Sequence, residues 1–292
     1  MHKKKKKILV TGASGQVGRE LQILAANFPS FDFEWVDLPE LDITDRGAVG
    51  EFFDNTALDY CLNCAAYTAV DRAEEEQEQA WKVNVSGVEH LAEACQMHDV
   101  KLVQISTDYV YHTAQNTPFR EGSPTNPQGI YAKTKLAGDD IALKKGGMVI
   151  RTSWVYSAFG NNFVKTMLRL GAKRQELRVV SDQIGTPTYA AGLANAMLTI
   201  LQKAEDTEVD ASQLAGIYHY SDEGVTSWYD FARAVFEIKG MSVKVIPIET
   251  KDYPTPAQRP PFSVLSKTKI KTTFGLKIPH WRDNLRVCLT RI

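Results

Sequence analysis

The chain of 292 residues has only four cysteines, Cys61, Cys64, Cys95 and Cys288, too few for the disulfide framework of a secreted protein. Cys61 and Cys64 have C-x-x-C spacing, but they lie where a strand pattern runs into a loop. A redox pair needs its first thiol at a helix N-terminus, and no second pair completes a zinc site. We therefore interpret all four as structural cysteines in a reducing compartment.

Long apolar runs and a strong net charge are also absent. No segment reaches the roughly 18 to 20 apolar residues that cross a bilayer, and the run at residues 8–10 is too short for the core of a signal peptide. Lys and Arg number 34 against 35 Asp and Glu, whereas a dedicated nucleic-acid binder is usually basic. These absences predict a cytoplasmic protein that binds neither membranes nor nucleic acid.

Several motifs that would indicate other chemistry are missing or weak. The six histidines show no metal-ligand spacing, and no G-x-S-x-G supports acyl hydrolysis. The acidic run at residues 71–78 is typical of a solvated helix start rather than of a metal site. The basic run at residues 3–7 is interpreted as a flexible lead into the first strand rather than as an anion-binding patch. The residues themselves thus predict no metal site.

The first half of the chain alternates short apolar runs with amphipathic segments, the pattern of βαβ units and a parallel sheet. Strands are predicted at residues 7–11, 33–37, 60–64, 101–106 and 148–152, and helices at 16–26, 45–55, 75–97 and 130–145. A further helix at 163–169 and a strand at 243–248 follow. We expect a doubly wound α/β (Rossmann) domain over residues 1–153, and a smaller lobe over 154–292 from which some segments return to the first domain.

Three glycines, Gly12, Gly15 and Gly18, directly follow the first predicted strand and open the first predicted helix. Glycines at such a turn let backbone amides approach a pyrophosphate at the positive end of a helix. Asp37 ends the second predicted strand, where a carboxylate accepts hydrogen bonds from an adenosine ribose; an exposed turn aspartate is the alternative. Residues 1–153 are therefore predicted to bind NAD(P). Asp37 opposes a 2′-phosphate, but Arg19 and the basic run favour one, so both NADH and NADPH are allowed.

Tyr131 and Lys135 are four residues apart at the start of a predicted helix, hence on one face. A free phenol has a pKa of about 10, and a nearby ammonium such as that of Lys135 lowers it towards neutrality. Thr107 and Ser106 lie at the C-terminal end of a predicted buried strand, where an open α/β sheet places its ligand crevice. A hydroxyl there can hydrogen-bond a substrate oxygen beside Tyr131. The Tyr–Lys pair, the hydroxyls and the glycine turn therefore indicate one common site.

These motifs resemble the extended short-chain dehydrogenase/reductase family, and within it the dTDP-4-dehydrorhamnose reductases. The glycine and Tyr-x-x-x-Lys motifs indicate only the superfamily. The segments at residues 16–17, 65–71 and 151–154 are much more specific for these reductases. The resemblance extends over most of the chain, in residues 11–18, 41–45, 63–74, 106–111, 131–138, 151–156, 160–163, 182–187 and 254–260.

The resemblance also implies site residues. The implied cofactor-binding residues line the pyrophosphate, the ribose, the adenine and the nicotinamide half in turn: Gly12, Gly15, Gln16 and Val17; Asp37; Asp42 and Ile43; Ala66, Tyr67 and Thr68. Tyr131 is implied as the proton donor, Lys135 as its cationic partner and ribose ligand, and Thr107 as the hydroxyl that assists Tyr131. Asp108 and Trp154, with Thr107, are implied to hold the deoxysugar, although Trp154 has lobe packing as its alternative.

The implied reaction is the reduction of the C4 ketone of dTDP-4-dehydro-β-L-rhamnose to dTDP-β-L-rhamnose with NADH or NADPH, the last step of dTDP-rhamnose biosynthesis. A related nucleotide-sugar epimerase or reductase and a non-catalytic NAD(P)-binding regulatory subunit are the alternatives. Intact Thr107, Tyr131 and Lys135 favour an enzyme. Some members of the family are dimers around magnesium held by glutamates. Glu20 matches one such position, but residues 189–192 and 289–292 lack the other carboxylates. The sequence therefore argues against a metal-bridged dimer and leaves a homodimer open.

Overall fold

The computed structural model describes residues 4–292, within which the chain forms twelve strands and ten α-helices. The strands are β1 (Lys6–Thr11), β2 (Phe31–Val36), β3 (Tyr60–Asn63), β4 (Lys101–Thr107), β5 (Met148–Thr152), β6 (Val155–Tyr156), β7 (Glu176–Val180), β8 (Ile184–Gly185), β9 (Thr188–Tyr189), β10 (Gly216–His219), β11 (Thr226–Ser227) and β12 (Lys244–Ile248). The helices are α1 (Gln16–Leu24), α2 (Arg46–Asn55), α3 (Gln77–Trp81), α4 (Gly87–Met97), α5 (Gly129–Lys144), α6 (Phe163–Gly171), α7 (Ala190–Glu205), α8 (Trp228–Ile238), α9 (Thr268–Phe274) and α10 (Trp281–Leu289).

Six strands form a parallel sheet in the order β10-β5-β4-β3-β1-β2. The predicted doubly wound α/β fold is therefore confirmed. The chain builds outward from β1 to β2 and then returns to the other side of β1 with β3, so the strand order reverses between β1 and β3. Open α/β sheets bind ligands beyond the carboxyl ends of the strands at such a reversal. The edge strand β10, which pairs with β5, was not predicted.

Both faces of this sheet are covered, because alternate side chains of each strand point to opposite sides. Ile8 and Val10 of β1 pack with α1 and α7 in one apolar cluster. Leu9 packs with α2 and α4 in a second cluster on the other face. The sheet core is thus closed by helices from both halves of the chain.

The helix predicted over residues 75–97 is interrupted. Helix α3 ends at Trp81, a π-helical turn covers Lys82–Ser86, and α4 continues from Gly87. Asn84 in this turn accepts a hydrogen bond from the Tyr67 amide at 2.9 Å and donates one to Thr134 Oγ1 of α5 at 3.1 Å. The wider turn therefore connects the segment after β3 to α5.

Lys6 and Lys7 belong to the first strand, so the prediction of a flexible lead is wrong for these two residues of the basic run. Lys3 lies outside the described residues. Strand β1 begins at Lys6, and Lys5, Lys6 and Lys7 form ion pairs with acidic residues of neighbouring segments at 2.8 to 3.0 Å. The acidic partners are Asp32, Asp59 and Glu34. The charges of Lys5, Lys6 and Lys7 are thus each paired with a neighbouring carboxylate.

Several elements of the second half pack around an apolar cluster of their own, and we refer to them as the smaller lobe. Strand β12 pairs with β7, and α6, α8 and α10 enclose an apolar cluster that includes Val164, Phe231 and Leu285. The predicted helix at 163–169 and strand at 243–248 are confirmed by α6 and β12. Between residues 4 and 292, no helix is long and apolar enough to cross a membrane.

Candidate functional site

A cleft of about 1510 Å³ lies at the carboxyl ends of the sheet strands and extends onto the smaller lobe. All of the predicted site residues except Tyr67 line it: Gly12, Gly15, Gln16, Val17, Asp37, Asp42, Ile43, Ala66, Thr68, Thr107, Asp108, Tyr131, Lys135 and Trp154. Lobe residues such as Arg174, Arg178 and Tyr253 line the other end. The structure thus brings together residues that are up to 142 positions apart in the sequence, from Gly12 to Trp154.

The glycine turn is compact in a way that only glycine permits. Gly12 has φ +63°, and a Cβ there would lie 2.6 Å from the Ala65 backbone nitrogen. A Cβ on Gly18 would lie 2.5 Å from the Gly12 carbonyl oxygen. Gly15 precedes α1 with no side chain over the helix end. The first-turn amides of α1 therefore face the cleft without obstruction, as a bound pyrophosphate requires.

Two carboxylates at the mouth of the cleft make local backbone contacts. Asp37 accepts hydrogen bonds from the amides of Ser14 and Leu38, both at 2.9 Å. Asp42 accepts from the amide of Thr44 at 2.9 Å and from its hydroxyl at 2.7 Å. The hydroxyl bond and then the amide bond lower the pKa of Asp42. The hydrogen bond from the Ser14 amide holds Asp37 against the glycine turn.

Residues of the segment after β3 lie on both sides of the cleft wall. Ala66 and Thr68 line the cleft, whereas the Tyr67 hydroxyl donates a hydrogen bond to Glu76. The Tyr67 amide and carbonyl are both bonded to Asn84. Tyr67 therefore supports this segment from behind.

Tyr131 and Thr107 meet at the centre of the cleft, and Tyr109 packs edge-on against the Tyr131 ring at 5.6 Å. Burial raises the pKa of Tyr131 to about 12, while its hydrogen-bond contact with the Thr107 hydroxyl acts to lower it. Thr107 also contacts Asp108 Oδ1 at 3.2 Å. Burial raises the pKa of Asp108 to about 7. The site therefore holds a protonated phenol beside a hydroxyl and a carboxyl group that titrates near neutral pH.

Lys135 lies one helical turn after Tyr131, and its side chain is 3% exposed. Its Nζ donates a hydrogen bond to the Ile105 carbonyl at 2.8 Å. Burial lowers the pKa of Lys135 to about 8, although Asp139 and Cys64 act to raise it. In this arrangement the ammonium is tied to the end of β4 and does not donate to Tyr131. The expectation that Lys135 lowers the pKa of Tyr131 towards neutrality is therefore wrong for this structure, in which burial raises that pKa.

Trp154 emerges from the end of β5 with φ +48°, in the left-handed region that few large residues adopt. Its indole stacks on Trp228 with ring centroids 3.5 Å apart and an interplanar angle of 8°. Both rings line the cleft. Trp154 thus contributes to the lobe packing and to the cleft surface together. Sequence reasoning missed Trp228, because nothing local distinguishes it from an ordinary residue at a helix start.

The acidic run at residues 71–78 is not simply solvated, so that interpretation is wrong for Asp71 and Glu74, and for Glu76, which accepts the hydrogen bond from Tyr67 described above. Asp71 forms a two-pronged ion pair with Arg259 at 2.7 and 3.0 Å, and Arg259 lines the cleft. Glu74 accepts a hydrogen bond from the Ile130 amide at 2.8 Å, at the first turn of α5. The run thereby joins the C-terminal loop and the helix that carries Tyr131.

Glu20 does not fit a magnesium site. It is completely buried, and its two carboxylate oxygens accept hydrogen bonds from the Ser157 hydroxyl at 2.6 Å and from Arg291 at 2.8 Å. Within residues 4–292, no group of three or more His, Cys, Asp or Glu side chains is placed to hold a metal ion. The Arg291 guanidinium already supplies the positive charge that Glu20 needs.

Comparison with known proteins gives a consistent result. A family model described as the RmlD substrate binding domain matches residues 6–292. A dTDP-4-dehydrorhamnose reductase of Aggregatibacter actinomycetemcomitans is 40% identical over 289 residues, 96% of this chain and 97% of that protein. A crystal structure of the Clostridium acetobutylicum dTDP-4-dehydrorhamnose reductase superposes with a TM-score of 0.91 at 39% identity, over 97% of this chain and 98% of the other. The Bacillus anthracis reductase in complex with NADP gives 0.90 at 35% identity, over 98% and 99%.

Proposed function

Since the chain belongs to the dTDP-4-dehydrorhamnose reductase family, we propose that it reduces the C4 ketone of dTDP-4-dehydro-β-L-rhamnose to dTDP-β-L-rhamnose. The family and the NAD(P)H-dependent oxidoreductase activity predicted from the motifs are confirmed by the comparisons. The observation that carries the assignment to this site is the meeting of Tyr131, Thr107 and Lys135 in the cleft that also contains the glycine turn.

The residues present fit a dinucleotide. The glycine turn leaves a space that a Cβ on Gly12 or Gly18 would remove, and the α1 amides beyond it suit the pyrophosphate. Asp37, held against Ser14, suits the ribose hydroxyls, and Ile43 offers an apolar contact for the adenine. Ala66 and Thr68 are placed for the nicotinamide half. When bound, the reduced nicotinamide supplies the hydride.

Tyr131 protonates the substrate oxygen. Its pKa of about 12 keeps the phenol protonated at neutral pH, so the proton is available when negative charge develops on the C4 oxygen. Thr107 hydrogen-bonds Tyr131 and aligns the transfer, which is worth roughly 10² to 10⁴ in rate. Lys135, whose ammonium is held at the end of β4 in the same cleft, would bind the ribose of the cofactor and supply positive charge to the site. Holding ketone and hydride donor together supplies much of the remaining acceleration.

The lobe over residues 154–292 mainly binds the sugar nucleotide, and residues 1–153 bind the cofactor. Trp154, stacked on Trp228, presents a flat apolar surface that suits the C6 methyl face of a deoxysugar. Asp108 is placed to bond the sugar hydroxyls. The segments that return to the sheet, β10 and α7, belong structurally with the first domain.

The cellular setting and the assembly are also part of the proposal. The four free cysteines, three of them buried, suit the reducing cytoplasm. The near-neutral charge and the ion pairs of the basic run suit a protein without nucleic-acid partners. A homodimer, if formed, does not need a metal at Glu20, because Arg291 already pairs with that carboxylate.

The test is to incubate the protein with dTDP-4-dehydro-β-L-rhamnose and either NADH or NADPH, and to follow cofactor oxidation and sugar product. We expect dTDP-β-L-rhamnose with one cofactor oxidised per sugar. Tyr131→Phe retains the ring but not the proton, so turnover should fall by at least about 10²-fold while cofactor binding persists. Near-normal turnover in that variant would reject Tyr131 as the proton donor. Purified protein that carries tightly bound oxidised cofactor and returns the hydride would instead indicate an epimerase.

A further inference from the structure

Three buried charged residues lie at and beside the cleft wall. Lys135 and Asp139 are four residues apart on one face of α5, and Arg151 lies on β5. Their side chains are 3%, 0% and 2% exposed. Buried charges are costly unless they are paired, so their arrangement needs a reason. The reaction proposed above uses Lys135 but neither of the other two.

Asp139 is held from one side only. Arg151 Nε donates a hydrogen bond to Asp139 Oδ2 at 3.0 Å, whereas Asp139 Oδ1 has no hydrogen-bond partner among residues 4–292. The Ser106 hydroxyl lies close enough to lower the pKa of this carboxyl but is likewise without a bonded partner. A purely structural ion pair would be expected to satisfy both carboxylate oxygens. Residues four apart on a helix are neighbours, so the charge of Asp139 acts on the Lys135 ammonium without a hydrogen bond between them.

Arg151 is itself fixed by a chain of neutral groups. Its Nη1 donates to the Tyr111 hydroxyl at 2.7 Å, and that hydroxyl is 2.8 Å from His219 Nε2. Burial lowers the pKa of His219 to about 3, so His219 is neutral and shares a hydrogen bond with the Tyr111 hydroxyl without adding a charge. The guanidinium therefore has a fixed place beside Asp139. Burial raises the pKa of Asp139, and Arg151 is the strongest influence in the opposite direction.

Few charged or titratable groups besides Asp139 affect the pKa of Lys135. Cys64, which follows β3, and Asp139, on the same helix, are the groups whose charges would raise its pKa. Burial raises the pKa of the Cys64 thiol, so Cys64 is neutral at working pH. Asp108, which follows β4, acts on Tyr131. The carboxylate of Asp139 is therefore the anion that offsets the burial of the ammonium.

We propose that Asp139 is a positioning residue of this reductase: paired with Arg151 and one helical turn from Lys135, its carboxylate stabilises the buried Lys135 ammonium. The inference rests on the role of Lys135 in the proposed function. It assigns the Asp139–Arg151 pair to the chemistry of the site rather than to stability alone. Arg151 on β5 pairs with Asp139 on α5, and Asp139 in turn acts on Lys135, which lines the cleft.

The experiment measures kcat/KM and the Kd of NADP⁺ from pH 6 to pH 10. As Lys135 loses its proton, around pH 8 in the unaltered enzyme, kcat/KM should fall and the Kd of NADP⁺ should rise. This change at high pH is the alkaline limb of each profile. In Asp139→Asn this alkaline limb should move at least about one pH unit lower, which at pH 8 leaves a roughly fivefold smaller protonated fraction. Asp139→Glu retains the charge and should restore the original limb.

Asp140→Asn is the matched control, because Asp140 is the adjacent residue on the same helix and is exposed. It removes the same formal charge and should leave both pH profiles unchanged. If Asp139→Asn does not fold, the double variant Asp139→Asn, Arg151→Gln removes the pair together and should shift the limb in the same direction by a smaller amount.

If the Asp139 variants have a lower melting temperature but the alkaline limbs of both pH profiles do not move, the inference is overturned. The Asp139–Arg151 pair then has only a structural role. Lys135→Ala separates this failure from that of the proposed function. If Lys135→Ala retains normal turnover and NADP⁺ affinity, the role of Lys135 itself is wrong. If Lys135→Ala is defective but Asp139→Asn leaves the limbs in place, only the role of Asp139 is wrong.

Discussion

Glu74 holds the start of the helix that carries Tyr131, and its removal should affect stability and turnover together. Gln128, the residue before α5, provides no side-chain cap. Glu74 Oε1 instead accepts the hydrogen bond from the Ile130 amide at 2.8 Å, at the positive end of the helix. Loss of a helix cap costs about 1 kcal/mol, and loss of the negative charge there costs a further 0.3 to 1 kcal/mol, roughly. Glu74→Ala should therefore destabilise the protein by about 1.5 kcal/mol.

The corresponding change in melting temperature follows from the size of the chain. An unfolding entropy of about 2.1 cal/mol/K per residue gives roughly 0.6 kcal/mol/K for a chain of this length. The melting temperature of Glu74→Ala should fall by about 2.5 °C. Because Tyr131 directly follows Ile130, a frayed first turn also displaces its hydroxyl. Misplacement by 1 Å costs up to about 10²-fold, and we expect kcat to fall by about tenfold.

Two further variants separate the cap from a general charge effect. Glu74→Gln retains an oxygen acceptor and should retain most of the turnover and melting temperature. Glu75→Ala removes a charge from the adjacent exposed residue and should change neither quantity. The assays are scanning calorimetry and steady-state oxidation of NADPH. If Glu74→Ala behaves like Glu75→Ala in both assays, the contact with Ile130 does not position Tyr131 and the reasoning is refuted.

Three other substitutions test separate parts of the site. Asp37→Ser should shift the ratio of catalytic efficiencies towards NADPH, because the carboxylate opposes a 2′-phosphate; an unchanged ratio in parallel assays would place the selectivity elsewhere. Trp154→Phe should raise KM for the sugar nucleotide several-fold with little effect on cofactor affinity, whereas Trp281→Phe, buried in the lobe, should lower the melting temperature alone. A lower melting temperature with unaltered KM in Trp154→Phe would remove Trp154 from the sugar site. Arg291→Ala leaves the Glu20 carboxylate buried without its cation and should cost on the order of 2 kcal/mol in denaturant unfolding, a loss that Glu20→Gln should partly restore; a variant as stable as the parent contradicts this.

Local patterns were sufficient for the strands and helices of the first half of the chain. Alternating apolar residues and the glycine turn predicted the five strands of the first half, and the four-residue spacing of Tyr131 and Lys135 placed them on one helix face. These features depend on periods of two and 3.6 residues, which the sequence displays directly. The location of Thr107 beside Tyr131 followed from a general property of parallel sheets.

The rest depends on contacts between distant segments, which no local period reveals. The pairing of Trp154 with Trp228 and of Asp71 with Arg259 joins residues 74 and 188 positions apart. Glu74 and Asp71 lie in a run of acidic residues that resembles an ordinary solvated helix start, so their partners could be identified only in the folded chain. Asp139 has a helical spacing from Lys135 that was visible in the sequence, but its burial was not.

The edge position of β10 affects how the protein is made. During synthesis, the strands up to β5 leave the ribosome before residues 216–219 exist, so the backbone edge of β5 has no neighbour for some 60 residues of further elongation, at about 5 to 20 residues per second. The face of the sheet that α7 covers is open for part of the same interval. Unpaired edges and open apolar faces are where nascent chains associate with one another. A fragment that ends at residue 153 would retain both permanently, and expression of the cofactor half alone should therefore yield aggregated protein.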